Sequence, residues 1–450
     1  MIHACSLDIP YENQFSDPDA VNTPRAAREL LSTAYSQLPH PEFELSVLSD
    51  DFTPTSWIKK NSDLENLHKW EPQPILDLGS SLWQKYYGVI ATLNALSERL
   101  PAIPISSEEA RREVEQITAE AKVLKAYCYF DLLRLFAPDY RDGKEKPGIL
   151  LKDRLELEFL PRTSVENGVT AIRQLLQEAA SAMKQTDVCY WLSHTACLYL
   201  QAELELYAGN YAQAAQLAGL VIEDKGGIES MSASAYANLW SNNPSDERIF
   251  SYYSSTTASS FYIDIVYDTS SGDYLALNET LVSSYTEDDI RKEYTVLPFQ
   301  TIFRTAQYMG KYNRMRKEKQ EITYINKLRT AGACFLLAEA SCLDGKNEAR
   351  AVEIMNEYLA RRGAPPLDDN LRGNALMRRI LTEKWKEFAG EGQRYFDLKR
   401  YRRTLLSTWT TAAGKNITAD DYRWNFPIPK EEYLYNDNVT QNTGWNQFIH

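Results

Sequence analysis

Five charged residues recur at spacings of three or four near the carboxyl end: Glu387, Glu391, Arg394, Asp397 and Arg400. On a continuous helix that spacing lines acidic and basic groups along one face, where they pair with each other. The chemistry this supports is structural cement, because a buried Arg–carboxylate pair fixes how helices meet and removing one partner costs ~3–5 kcal/mol. Catalytic patterns are missing from the sequence: it has no nucleophile elbow, phosphate-binding loop or His-Glu-x-x-His run, and its five histidines are scattered from His3 to His450. Acid glycoside hydrolysis needs only two carboxylates ~5–10 Å apart, and Asp50 with Asp51 or Asp288 with Asp289 are the nominees. Adjacent residues seldom converge on one substrate atom, so solvated or helix-capping roles are expected for both pairs.

Binding asks for less than catalysis: exposed rings flanked by hydrogen-bonding groups. A sugar offers a C–H face to a ring and hydroxyls to its neighbours, and covering ~50 Å² at ~25 cal/mol/Å² contributes ~1 kcal/mol per ring. The chain is rich in such rings, with 28 Tyr and 9 Trp among 450 residues. Most rings of this kind pack in cores, but those in irregular segments are candidates for ligand contact. Trp57 and Trp70, in the loop before the helix of Trp83, and Trp240, Tyr253 and Tyr262, in a loop-rich stretch further on, are the expected ligand-binding residues.

A net charge of −13 repels nucleic-acid phosphates, since a phosphate-binding face needs surplus Lys and Arg; nucleic acid is not an expected partner. Six cysteines occur without any Cys-x-x-Cys, which argues against a zinc site, and no cofactor or metal is expected. Cys189 and Cys197, like Cys334 and Cys342, are eight apart, or ~12 Å along one helix, too far to bridge. No run approaches eighteen consecutive apolar residues, so no membrane-spanning helix is expected.

Helical periodicity dominates the chain. Val114, Ile117, Ala121, Leu124, Cys128, Leu132 and Leu135 fall at steps of three and four, and Tyr127, Phe130 and Leu133 add a second apolar face, so this helix must be sandwiched. Leu82, Trp83, Tyr86, Val89, Ile90, Leu93 and Leu96 form another stripe. Ala202–Ala218 reads as a helix ending at Gly209 and a second opening at Tyr211; Phe335–Gly363 has the same form, punctuated by Gly345 and stopped by Gly363, Pro365 and Pro366. A third pair is expected to join residues 164–184 to the helices around it. Between about 226 and 325 the composition shifts to Ser, Tyr, Thr, Asn and Asp, an irregular insertion whose ring density suits function rather than disorder.

Several fragments resemble the SusD/RagB family of nutrient-binding lipoproteins. The run E-F-A-G-E-G-Q-R-Y-F-D-L-K-R from Glu387 to Arg400, then F-P-I-P and Q-N-T-G-W near the end, are similar to that family's carboxyl-terminal signature, with Thr443 and Trp445 replacing its proline and tyrosine. Ala121–Phe136 is similar to its long central helix. The resemblance implies a mostly α-helical protein of tetratricopeptide-like helix hairpins with an irregular loop-rich insertion. Its single domain is expected over residues 19–450: helical repeats at about 19–225 and 326–403, the insertion at about 226–325 and a terminal wrap at 404–450. Residues 1–18 would be a tether. The run I-H-A-C is similar to the tail of a lipoprotein cleavage box, which would make Cys5 the lipidated residue, facing the exterior of the outer membrane. The family also implies a glycan ligand, a SusC-like TonB-dependent transporter as partner, and no catalytic residues. A peptide-binding helical scaffold and a helical glycoside hydrolase are the alternatives from other classes.

Overall fold

The computed structural model describes residues 21–253, 274–300, 305–313, 323–407, 415 and 417–448. Helices come first and are the longest elements: α1 (Pro24–Ser36), α2 (Glu42–Leu48), α3 (Ser62–His68), α4 (Pro72–Arg99), α5 (Glu108–Phe136), α6 (Tyr140–Gly143), α7 (Val165–Ala180), α8 (His194–Tyr207), α9 (Tyr211–Asp224) and α10 (Ala233–Leu239). After the insertion's α11 (Glu279–Ser283) and α12 (Ile290–Thr295) come α13 (Thr330–Leu343), α14 (Glu348–Arg362), α15 (Gly373–Phe388), α16 (Gln393–Tyr401) and α17 (Lys430–Tyr435). Their starts are set locally. Thr23, Ser107, Ser164 and Ser193 each accept a hydrogen bond from the backbone N–H three residues on, satisfying a donor that the first helical turn leaves open.

The long helices pack in sequence, α4 on α5, α5 on α7, α7 on α8 and α8 on α9, and α9 then meets α13, which carries α14 and α15. The mostly α-helical architecture of stacked hairpins is therefore as expected. Every residue of α5 from Val123 to Phe136 is buried, as its two apolar faces require. Helix α13 is buried from Thr330 to Cys342 and so serves as the central post. At the end of α14, Gly363 takes φ 67°, and a Cβ there would lie 2.4 Å from the Asp288 carbonyl oxygen; only glycine fits.

The insertion holds more order than its composition suggests. Among the described residues, besides short helices, it contributes to three antiparallel two-stranded ladders: β1 (Phe52–Pro54) with β3 (Leu275–Leu277), β2 (Arg248–Tyr253) with β6 (Tyr324–Arg329), and β4 (Val296–Gln300) with β5 (Thr305–Met309). Cys189 also departs from expectation, lying in the loop before α8 and not on one helix with Cys197. Cys128, Cys197, Cys334 and Cys342 are buried thiols.

The terminal wrap is fastened to the end of α5. Lys399 Nζ donates to the carbonyls of Arg134 and Ala137 at 2.6 and 2.9 Å, capping that helix. Asn442 Nδ2 donates to Phe136 and Phe426 oxygens, both at 2.7 Å, while Gln441 makes two 2.7 Å bonds with the backbone of Ile428. Trp445, fully buried, donates to Asn425 O at 2.8 Å. The residues of the F-P-I-P and Q-N-T-G-W runs thus close the fold.

One buried group ties this core to acidity. His68, at the end of α3, is buried, and that burial, aided by the charges of Lys415 and Lys69, pushes its pKa down to about 3. The unfolded chain therefore binds a proton that the folded chain refuses between pH ~6.5 and about 3. Stability from this source is complete above pH ~6.5 and falls as the pH drops through that window, by up to roughly 4–5 kcal/mol. The expected result is a flatter pH profile of unfolding free energy for His68→Phe than for the parent; parallel profiles between pH 3.5 and 7 would clear His68 of the effect.

Candidate functional site

The array at residues 387–400 does not lie on one helix. Helix α15 ends at Phe388, Gly390 and Gly392 take φ 76° and 74°, and α16 starts only at Gln393. The five residues consequently pair across elements instead of with each other. Glu387 accepts from Arg329 and from the Tyr358 hydroxyl, both at 2.5 Å; Glu391 accepts from Lys311 at 2.5 Å and Arg329 at 2.9 Å. Arg394 forks onto Asp50 at 2.7 and 2.9 Å, Asp397 meets Lys384 at 2.8 Å, and Arg400 meets Glu339 at 3.2 Å.

Glu387 sits in a larger network. Arg362 forks onto Glu247 at 2.9 and 2.6 Å, and Arg291 joins Asp289 and Glu383 at 2.7 and 2.6 Å, with Lys386 beside both acids. Five carboxylates (Glu247, Asp289, Glu383, Glu387, Glu391) face five cations (Arg291, Lys311, Arg329, Arg362, Lys386), all buried. Equal numbers with hydrogen bonds throughout are what makes burial of ten charges tolerable. The nominated acid pairs are absorbed in the same way. Asp50 is paired with Arg394, Asp51 accepts from Trp385 Nε1 and Gly390 N, and Asp289 caps α12 as well as pairing; of the four only Asp288 is exposed. The expected solvated role is thus wrong for Asp50 and Asp51.

Two of the five predicted ring positions are core. Trp70 has no exposed surface; its Nε1 donates to Leu48 O at 2.8 Å and its ring meets Trp424 and Tyr395 at 4.8 and 6.0 Å. Trp240 is 3% exposed and covers the ion network, with Lys311 Nζ 4.7 Å and the Arg329 guanidinium 5.4 Å from its ring. Neither can stack on a sugar from solvent. Trp57 is partly exposed, with Lys60 Nζ 3.6 Å from its ring centroid. Tyr262 and Cys5 lie outside the described residues.

Tyr253, by contrast, is 53% exposed and has company. In the β2–β6 ladder it stands directly opposite Tyr324, as paired positions on one face must. Ser251 N bonds to Cys189 O at 2.8 Å, which brings the loop before α8 alongside β2 and places Tyr190 over both rings. The centroid distances are 4.9 Å for Tyr190–Tyr253, 5.9 Å for Tyr253–Tyr324 and 6.3 Å for Tyr190–Tyr324, the last pair nearly parallel at 8°. Tyr190 and Tyr324 are partly exposed too.

Tyr190 and Tyr324, with Tyr253 packed against both, line a cleft of about 820 Å³ whose polar lining includes Asp187, Asp224, Lys225, Ser245, Asp246 and Arg248, within the size range of small-molecule sites. Arg248 is fixed in place: its Nε donates to Asn326 Oδ1 at 2.8 Å, and its other nitrogens donate to the carbonyls of Asn238, Leu239, Ser241 and Asn243. Lys225 donates to Arg248 O at 3.2 Å, and burial lowers its pKa against the opposing pull of Asp246 and Asp187. Asp224 accepts from Gln185 and Thr195. Ring faces beside hydrogen-bonding groups are the equipment for holding a polyhydroxylated molecule. Sequence reasoning found Tyr253 but missed Tyr190 and Tyr324; the alternation Tyr324-Ile325-Asn326 in a strand-like run was the one available signal.

A small pocket between α5, α8 and α16, lined in part by Glu203 and Asp397, measures about 60 Å³. It has room for a few waters and none for a sugar ring.

The fold is a helical-repeat scaffold beside an open polar cleft, and comparison with known proteins places it. One family model, the SusD family, matches residues 282–445, and a second, described as starch-binding and associating with the outer membrane, matches residues 10–197. The chain belongs to the SusD/RagB family. It is 22% identical over 224 residues to SusD-like protein P38 of Formosa agariphila; the match spans 48% of this chain and 41% of that protein, less than half of its length. Among solved structures, a SusD superfamily protein from Bacteroides vulgatus superposes with a TM-score of 0.77 at 19% identity, covering 94% of this chain and 99% of that one. A laminarin-binding SusD-like protein superposes at 0.72 with 20% identity, covering 94% and 100%. Among the described residues no helix is long and apolar enough to cross a membrane.

Proposed function

We propose that this chain is a cell-surface glycan-binding lipoprotein, not an enzyme, which captures oligosaccharide or polysaccharide and delivers it to a SusC-like TonB-dependent transporter. In this reading Cys5 carries the lipid anchor on the exterior of the outer membrane, and Trp57 and Tyr262 extend the binding surface. The observation that carries it is the cluster of Tyr190, Tyr253 and Tyr324 beside a polar cleft that Tyr190 and Tyr324 line. The family's carbohydrate-binding character supports it, as do the starch and laminarin in the descriptions of the matching model and neighbour. Against catalysis, Asp187 and Asp246 stand in solvent beside a cation, without the apolar enclosure that a general acid requires.

Three rings at ~1 kcal/mol each give a gross gain of ~3 kcal/mol before hydrogen bonds and association entropy, which places affinity in the millimolar to micromolar range. Weak capture suits a protein that must release its cargo. Retardation in native gels containing laminarin, starch or other neutral polysaccharides is the test. Tyr253→Ala is expected to weaken retention about fivefold, and the triple Ala variant at 190, 253 and 324 to abolish it without releasing sugar from any polysaccharide. A triple variant retained like the parent would remove this cleft as the site; appearance of new reducing ends would show a hydrolase instead.

A further inference from the structure

The cleft's charges carry a consequence for which glycans enter. Its lining holds three carboxylates, Asp187, Asp224 and Asp246, and two cations, Lys225 and Arg248. The cations are engaged within the protein. All three nitrogens of Arg248 donate to protein oxygens, five contacts in all, and Lys225 is partly buried, donates to Arg248 O and is flanked by Asp187 and Asp246. Asp187 and Asp246 are exposed and accept no hydrogen bond from a described residue. What the cleft presents to a ligand is therefore acceptor oxygen and negative charge.

A sugar hydroxyl can donate to such carboxylates, and a hydrogen bond to a charged acceptor is worth more than a neutral one. A uronate or sulfate cannot donate there, and it brings a like charge into a cleft whose three carboxylates outnumber its two cations, Arg248 being held by five protein contacts. The chain's −13 net charge adds long-range repulsion of the same sign. Resting on the glycan-binding reading above, we infer that this site selects uncharged polysaccharides and rejects anionic ones, with Asp187 and Asp246 as the residues that set the discrimination.

The experiment compares native-gel retention on a neutral panel (laminarin, starch, galactomannan, xylan) with polygalacturonate and dextran sulfate, for the full chain and for Asp187→Lys/Asp246→Lys. Both aspartates are exposed, so the variant should fold like the parent. The parent is expected to be retained by a neutral polysaccharide and by neither anionic one. The double variant should lose part of its retention on that neutral ligand, whose hydroxyls no longer meet the two carboxylates, and should gain about fivefold or more on polygalacturonate at low salt, a gain that fades at ~0.5 M salt because exposed charges are screened. Retention of the parent by an anionic polysaccharide, lost in Tyr253→Ala, would overturn the charge selection and leave glycan binding standing. Retention of the parent by no polysaccharide of either class would count against glycan binding itself. A double variant that gains nothing on either anionic polymer would overturn the role of the two aspartates.

Discussion

Glu387→Ala is expected to cost about 3–5 kcal/mol of folding free energy. The side chain is fully buried and accepts from Arg329, Tyr358 and Arg362. Burial alone would raise its pKa, but Arg362, Arg329 and Arg291 outweigh burial and hold the carboxyl well below its usual range. Truncation leaves Arg329 and Arg362 in the interior with one acid fewer between them, and neither can reach water. A depressed carboxyl stabilises fully above its unfolded pKa of ~4.3 and loses that contribution only in acid, so the deficit should be complete at pH 7. Denaturant unfolding at neutral pH measures it. A midpoint shift equivalent to less than ~1 kcal/mol would show that the network redistributes its pairing around the gap.

Trp70→Ala is expected to cost a similar ~3–5 kcal/mol and to leave glycan retention in the surviving folded fraction unchanged. The indole is enclosed by Tyr395 of α16 and Trp424 of the terminal wrap, its N–H is tied to Leu48 O, and Arg423 donates to its carbonyl oxygen. Its backbone adopts φ 60°, a conformation that packing must maintain. Removing the ring takes away the contact between the α3 end and the wrap, so limited proteolysis within residues 417–448 should accelerate in the variant. Trp70→Phe, which keeps most of the buried area but loses the Leu48 bond, should fall between the two. Loss of glycan retention with unchanged unfolding would instead mean that this ring meets ligand.

The helices were legible because their signals are local. Apolar steps of three and four and glycine stops each act within a few residues, and they located α4, α5, α8, α9, α13 and α14. The structural character of the Glu387–Arg400 residues was legible too, but their geometry was not: the spacing rule assumes an unbroken helix, and Gly390 and Gly392 break it. The rings failed for a different reason. Whether Trp70 or Trp240 faces solvent depends on Trp424, Tyr395, Lys311 and Arg329, partners from 71 to 354 residues away that no pattern near the ring announces. Tyr190 and Tyr324 join Tyr253 only through the register of β2 on β6 and one backbone bond to Cys189, and register between distant strands is not written in either strand alone.

The balanced ten-charge network also bears on how this architecture diversifies. Its members are buried, as are Asn442 and Trp445 of the closing run, whereas the tyrosine cluster is assembled from one loop and the adjoining ends of two strands. If the proposed cleft is the ligand site, drift in the outward loops can change its ligand without touching the residues by which the family is recognised. Kinship in such a lineage therefore advertises a chassis and stays silent about diet, so two members sharing every hallmark can be adapted to unrelated foods.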